Sequence, residues 1–301
     1  PQTPGVVVVA GRYRSGKSFL NNRLVKANTV EGSGFGVGHT VESYTKGIWM
    51  WPEPVKGRTA SGEEIDVIVM DSEGLGATEQ TEHHDTEVFS LATLLCSVLV
   101  FNGSSTIDEN SIQTLGFIAN LTKHIRVRSN HGEESKAEDT IDDFNRFFPS
   151  FVWVLRDFSL MLRDADGQEM TPNEYMETAL MEQAGFDKDT LGRNRIRKCV
   201  TNFFRERTCF TLVRPVEEES HLQMLDMLPE TRLRPEFQSQ LNAFRSMLFD
   251  NARVKTVSGK PLNGPMLIAL AHSYVAAINS GGVPSVADAW ESAAGTQCKV
   301  R

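Results

Sequence analysis

A mostly parallel β-sheet sandwiched by helices, followed by a C-terminal helical segment, is the α/β architecture that the sequence predicts. Three observations carry it. Val6–Val9 is a short, uninterrupted β-branched run, which is how a strand buried on both faces of a parallel sheet reads. Strand and helix patterns then alternate, as they do when helices connect parallel strands. After Arg214 the strand signals stop and helical patterns follow.

The first strand, Val6–Ala10, ends in Gly11. The residues Gly11-Arg12-Tyr13-Arg14-Ser15-Gly16-Lys17-Ser18 fit G-x-x-x-x-G-K-S, and Phe19–Val25 can continue as a helix with Leu20 and Leu24 on one face. Strand, loop and helix are the context that this phosphate-binding motif requires. The glycines let the backbone curl so that successive N–H groups point inward, and the helix N-terminus adds its positive dipole end. Lys17 would reach the β- and γ-phosphates of a nucleotide, and the Ser18 hydroxyl would ligate magnesium. Arg14 brings a second positive charge into a loop that already carries a lysine; its plain reading is a surface arginine.

A glycine-rich stretch leads next into the strand Gly47–Trp51, and Thr45, by its spacing, could supply a second hydroxyl to magnesium. The strand Ile65–Met70 places Asp71 at its carboxyl end, where ligands of open α/β sheets collect. A strand-end aspartate could instead cap the next segment. Asp71-Ser72-Glu73-Gly74 matches D-x-x-G, in which the aspartate holds magnesium through water and the glycine N–H meets a γ-phosphate. Leu75 and Gly76 follow, so the water-orienting glutamine of Ras-type GTPases is missing.

A helix at Asp85–Cys96, a strand at Ser97–Asn102 and a helix at Glu109–Ile125 come next, then the acidic stretch Ser129–Asp143, read as a solvated loop. The strand Phe151–Leu155 ends in Arg156-Asp157. No N-K-x-D occurs, but an aspartate at this position can accept from both N1–H and the 2-amino group of guanine, a donor pair that adenine lacks. A helix at Pro172–Ala184, a strand at Cys209–Val213, and helices at Pro235–Asp250 and Gly264–Ile278 complete the order, with Ser280–Pro284 as punctuation.

Composition agrees with a globular nucleotide-binding domain. The 301 residues are 40% hydrophobic and 23% charged, enough for one large domain and an appendage. The net charge of −8 argues against a nucleic-acid partner, which needs clustered basic residues. No apolar run approaches the roughly 20 residues of a membrane span. Cys96, Cys199, Cys209 and Cys298 lack C-x-x-C spacing and read as reduced thiols of a cytoplasmic protein. The opening at Pro1, almost directly on a strand, reads as a trimmed chain.

"GRYRSGKS", "TVESYTKGIWMW", "DSEGLG", "FVWVLRDFSL", the Arg214-Pro215-Val216 triplet and "NGPMLIALAHSYVAAINSG" together resemble the guanylate-binding proteins, large dynamin-related GTPases, from about Val6 to Pro284. The resemblance implies a GTPase domain of the P-loop type over residues 1–260 and the truncated start of a helical stalk over residues 261–301. It implies magnesium-dependent hydrolysis of GTP to GDP, head-to-head homodimerisation of GTPase domains driven by nucleotide, and higher assemblies through the missing stalk. Arg14 matches an internal arginine finger, while Ser43 and Glu73 take over water positioning. Thr45 joins Ser18 and Asp71 at the metal. Gly11, Arg12, Tyr13, Ser15, Gly16, Lys17, Ser18, Phe19 and Gly74 would surround the phosphates. Arg156, Asp157, Arg214, Pro215 and Val216 would lie at the base, under a cap formed after Arg214. Tyr44 and Glu42 stand where members often have histidine and glutamine, which bears on whether GMP forms as well as GDP.

The alternatives are an atlastin-like membrane-tethering GTPase, which would carry D-T-Q-G at the second switch where this chain has Asp71-Ser72-Glu73-Gly74 and a membrane hairpin that the downstream pattern does not show, and a nucleotide-dependent scaffold without turnover. Plain readings apply to several other features. His83 and His84 face different ways on a helix and belong to the second switch. Trp49 and Trp51 pack against the fold. Met224, Met227 and Leu228 form a small core of the cap.

Overall fold

The computed structural model describes residues 3–26, 34–37, 45–76, 81–116, 125, 148–257 and 259–290. Strands β1 (Gly5–Gly11), β2 (Ile48–Met50), β3 (Val55–Arg58), β4 (Glu64–Ser72), β5 (Val98–Gly103), β6 (Ser150–Arg156) and β7 (Arg207–Leu212) form a seven-stranded sheet in the order β2-β4-β1-β5-β6-β7, with β3 also paired to β4. β4, β1, β5, β6 and β7 run parallel. β2 and β3 lie antiparallel to β4.

The valine run sits at the centre of the sheet because both its faces are covered. Val6 and Val8 enter one apolar cluster, Val7 and Val9 the other, and all four are buried. Each such side chain contributes roughly 1.5–3 kcal/mol by leaving water. On the first face lie α2 (Glu82–Leu95), α3 (Glu109–Thr114), α4 (Pro172–Ala179), α5 (Lys188–Phe203) and α8 (Gly264–Asn279), through Phe89, Ile112, Met176, Val200 and Leu270 among others. On the second lie α1 (Lys17–Leu24) and α7 (Pro235–Phe249), through Leu20, Leu24, Phe237 and Phe244, with the short α6 (Glu219–Leu222) between β7 and α7. The last long helix therefore shares the core of the sheet, with Leu267, Leu270 and Tyr274 buried in it.

Register decides what meets at the carboxyl edge. Val9 pairs with Asp71, Gly11 with Asn102, and Gly103 with Leu155. The ends of four parallel strands thus bring Gly11, Asp71, Asn102 and Arg156 to one rim.

Several expectations need correction. α4 stops at Ala179, short of Ala184; its start is well specified, with a Thr171/Glu174 capping box and Pro172 in the first turn. β3 and α5 were not foreseen. β3 carries only a half-buried Val-Lys-Gly-Arg pattern. α5 spans 16 residues with few apolar positions and an internal Gly192, although Asp187, whose side chain accepts from Thr190 N, marks its start. A two-stranded hairpin, β8 (Thr256–Val257) with β9 (Lys260–Pro261), interrupts the helical region after Arg214. Trp49 is 61% exposed, its indole N–H donating to the Lys46 carbonyl, whereas Trp51 packs on Phe35 at 5.4 Å. Met224 and Met227 are exposed; Leu222, Leu225 and Leu228, three residues apart, turn inward in their place.

The helix expected over Glu109–Ile125 is seen as α3 and a following 3-10 turn at 115–116, and residues 117–124 lie outside the described residues. So do the loop Ser129–Asp143, the switch residues Glu42, Ser43 and Tyr44, and Cys298. Cys96, Cys199 and Cys209 are free thiols. Among the described residues, no helix is long and apolar enough to cross a membrane.

Candidate nucleotide-binding site

The loop between β1 and α1 is held from several sides. Tyr13 N donates to Leu75 O at 2.9 Å and Leu75 N to Gly11 O at 3.0 Å, which joins the loop to the Asp71–Gly74 turn. Three loop carbonyls are engaged: Arg12 by Lys17 Nζ at 3.0 Å, Ser15 by Asn102 Nδ2 at 2.7 Å, and Gly16 by Arg156 at 3.4 Å. Two glycines are required by close approach. A Cβ on Gly11, at φ 151°, would lie 2.3 Å from the Asn102 carbonyl oxygen. On Gly74 it would lie 2.5 Å from Tyr13 Cα and 3.0 Å from Lys17 Nζ.

Lys17 is 7% exposed. Burial pushes its pKa down to about 8, against the opposing pull of Asp71 and Glu73. A buried ammonium gains from an anion placed beside it, and the start of α1 adds its own partial positive charge.

Ser18, Thr45 and Asp71 converge beside this lysine. Ser18 Oγ donates to Asp71 Oδ2 at 2.6 Å, Thr45 Oγ1 donates to the same oxygen at 3.4 Å, and the two hydroxyls are 3.5 Å apart. Asn21 Nδ2 holds the other carboxylate oxygen, Oδ1, at 2.9 Å. Burial raises the Asp71 pKa, while the hydrogen bond from Ser18 and the charge of Lys17 oppose the rise. Asn21 escaped the sequence reading; its place one turn after Lys17 on α1 was the available signal. No group of three or more His, Cys, Asp or Glu residues suited to a metal occurs among the described residues. Two of the oxygens in this cluster are hydroxyls, Ser18 Oγ and Thr45 Oγ1, and the other two belong to the Asp71 carboxylate.

Glu73 is buried at the second switch. Its Oε2 accepts from Gly47 N at 2.8 Å and faces His84 Nε2 at 3.2 Å, and its own N–H donates to Gly47 O at 2.7 Å. Arg14 stands exposed on the loop at φ 58°. Its guanidinium lies over the Tyr13 ring at 5.4 Å, and its Nε donates to the Tyr13 hydroxyl at 3.2 Å.

At the far end of the rim, Asp157 adopts φ 56° and borders a cavity of about 680 Å³ with Phe158, Arg214, Leu222 and Arg234. Arg156 is buried instead, its guanidinium near the rings of Phe19 at 5.5 Å and Phe237 at 5.9 Å. Burial lowers its pKa against the charge of Asp157. Phe19, Pro215 and Val216 are likewise packed in the interior. Of the Arg214-Pro215-Val216 triplet, Arg214 lines the cavity.

The segment after Arg214 is tied back to the loop helix. Arg23 on α1 donates to the carbonyls of Leu225 at 2.8 Å and Leu228 at 2.7 Å. The Arg23 carbonyl in turn accepts from Arg245 on α7, which also pairs with Glu230 at 3.0 Å.

The family model for the guanylate-binding protein N-terminal domain matches residues 2–257, and that for the C-terminal domain matches residues 258–300. The chain is 41% identical over 289 residues to guanylate-binding protein 1 of Homo sapiens, covering 94% of this chain and 47% of that protein. It is 40% identical over 288 residues to guanylate-binding protein 3 of Homo sapiens, with 94% and 46% covered, and 39% identical over 288 residues to guanylate-binding protein 7 of Mus musculus, with 94% and 43% covered. The chain spans less than half the length of each of these relatives. With two domain models covering nearly every residue and a site built on the same segments, the chain belongs to the guanylate-binding protein family.

Proposed function

We propose that this chain binds GTP with magnesium and hydrolyses it to GDP. The observation that carries the reading is the meeting of Ser18, Thr45 and Asp71 oxygens beside buried Lys17 at the end of the phosphate loop. The Ser18 and Thr45 hydroxyls, 3.5 Å apart, would hold magnesium directly, and Asp71, which accepts from both at 2.6 and 3.4 Å, would hold it through water. When bound, magnesium would neutralise charge on the β- and γ-phosphates. Lys17 and the loop amides would hold the phosphates, Gly74 N–H would meet the γ-phosphate, and Asp157 would accept from the guanine edge in the cavity that Arg214 borders. Ser43 and Glu73 would orient the attacking water.

Multiple-turnover phosphate release with chromatography of the products tests this. GDP should accumulate with GTP and magnesium, and any GMP would be read from the same trace. Lys17→Ala should abolish tight binding of a fluorescent GTP analogue, because it removes the ammonium between the loop and the phosphates. Unchanged affinity in that variant would overturn the loop assignment, and tight GTP binding without any product would leave a nucleotide-dependent scaffold.

Residues 261–301 are proposed as the start of a helical stalk, and the cap after Arg214 as part of a dimer surface that nucleotide orders. Arg23 and Arg245 support this, since they connect the phosphate-loop helix to the cap through Leu225, Leu228 and Glu230. Light scattering should find a dimer with GDP and aluminium fluoride and a monomer without nucleotide. A monomer under both conditions would remove dimerisation from the proposal.

A further inference from the structure

We propose that His84 is a positioning residue that fixes the plane of the Glu73 carboxylate, an inference that rests on the hydrolysis reading above. Glu73 is 2% exposed and its Oε2 receives two contacts from different elements, Gly47 N at 2.8 Å and His84 Nε2 at 3.2 Å. For His84 to donate here, Nε2 carries the proton. The torsion that turns a glutamate carboxylate is broad and poorly confined by itself. Donors that reach the same oxygen from different directions, Gly47 N and His84 Nε2, narrow that rotation, and the narrower it is the better the direction of Oε1 is set.

The support for His84 is itself firm. Thr81 caps α2 by accepting from His84 N at 3.2 Å, and the adjacent Asp85 accepts from Gly76 N through Oδ2 at 2.7 Å. Consecutive residues of the first turn of α2 thus hold both ends of the Glu73–Gly76 turn. The contact also reaches the cation-binding oxygens. Gly47, which shares Oε2 with His84, follows Thr45 by two residues, and Thr45 Oγ1 points at Asp71. Glu73 lies near enough to Lys17 for its charge to act on that ammonium. A carboxylate aimed by His84 would therefore be aimed from beside the phosphate loop, where the attacking water has to be held.

A structural role alone predicts something different. The His84 side chain is 38% exposed, so its loss should leave the core packed. The experiment compares the parent, His84→Leu and His84→Gln, whose amide nitrogen can take the place of Nε2. Each is measured for single-turnover GTP hydrolysis, affinity for a non-hydrolysable GTP analogue and melting temperature. His84→Leu should lose roughly 10- to 100-fold in hydrolysis, the cost of a misplaced catalytic group, with affinity kept within about twofold and melting unchanged. His84→Gln should regain most of the rate. An active parent with an equally active His84→Leu would overturn the proposal, as would a glutamine variant as slow as the leucine one. A parent that binds GTP without hydrolysing it would overturn the hydrolysis reading, and this inference with it.

Discussion

Asp157→Asn is expected to move base preference from guanine to xanthine by roughly 10⁴-fold, the penalty when a site built for one hydrogen-bonding pattern meets another. Asp157 follows the buried end of β6 and borders the cavity beside Arg214. A carboxylate there would accept from both guanine donors. Xanthine replaces the 2-amino group with a carbonyl, which repels aspartate but can accept from an asparagine N–H. The substitution is clean because the backbone stands at φ 56°, and asparagine, with aspartate, is among the few non-glycine residues that tolerate this left-handed region. Arg156 continues to anchor the turn from below, so neither the strand end nor the phosphate loop should move. Competition of XTP against labelled GTP measures the shift. Equal GTP affinity in variant and parent would make Asp157 a residue of the turn alone.

The same left-handed turn shows how unevenly the site could be read from sequence. Gly11–Ser18 and Asp71–Gly74 were legible because each has a fixed spacing next to a strand, and the register of β1 with β4 turns that spacing into the Ser18–Asp71 contact. Arg156-Asp157 was legible only by position, and the two side chains separate: one is buried near aromatic rings, the other lines a cavity. Sequence cannot show that split, since it depends on Phe237, a residue of α7 far along the chain. The His84–Glu73 and Arg23–Leu228 contacts were invisible for the same reason, being tertiary contacts without a local pattern. In the fold, strongly apolar β1 and β6 announced themselves. Polar α5 and the short strand β3 did not, because their place is decided by neighbours more than by their own composition.

Arg14→Ala should leave GTP affinity within a few-fold while lowering single-turnover hydrolysis by roughly 10³ to 10⁵, the range of arginine fingers in phosphoryl transfer. In the proposed site Lys17 and the loop amides would already hold the ground-state phosphates. A further cation in the same loop is useful where charge develops in the transition state. The backbone adds an independent reason to look for a side-chain role. Arg14 holds φ 58°, a conformation that costs a residue with a Cβ roughly 1–2 kcal/mol and that glycine adopts freely. An arginine kept at a position that glycine would fill without strain points to the guanidinium as the reason, and such an observed outlier is proper ground for a functional hypothesis. The guanidinium lies over the Tyr13 ring, a contact worth about 0.5–1 kcal/mol at an exposed site, and its Nε donates to the Tyr13 hydroxyl. It thus belongs to the exposed part of the loop that leads into Lys17, the lysine proposed to face the phosphates. Arg14→Gly separates the two contributions. It relieves the backbone and removes the charge together, so it should melt no lower than the parent and still hydrolyse as slowly as the alanine variant. Arg14→Lys retains a cation without the planar fork and should fall between them. If Arg14→Ala and Arg14→Gly both turn over within about threefold of the parent, Arg14 is a surface residue worth at most about 1 kcal/mol, and the charge that stabilises the transition state must come from elsewhere.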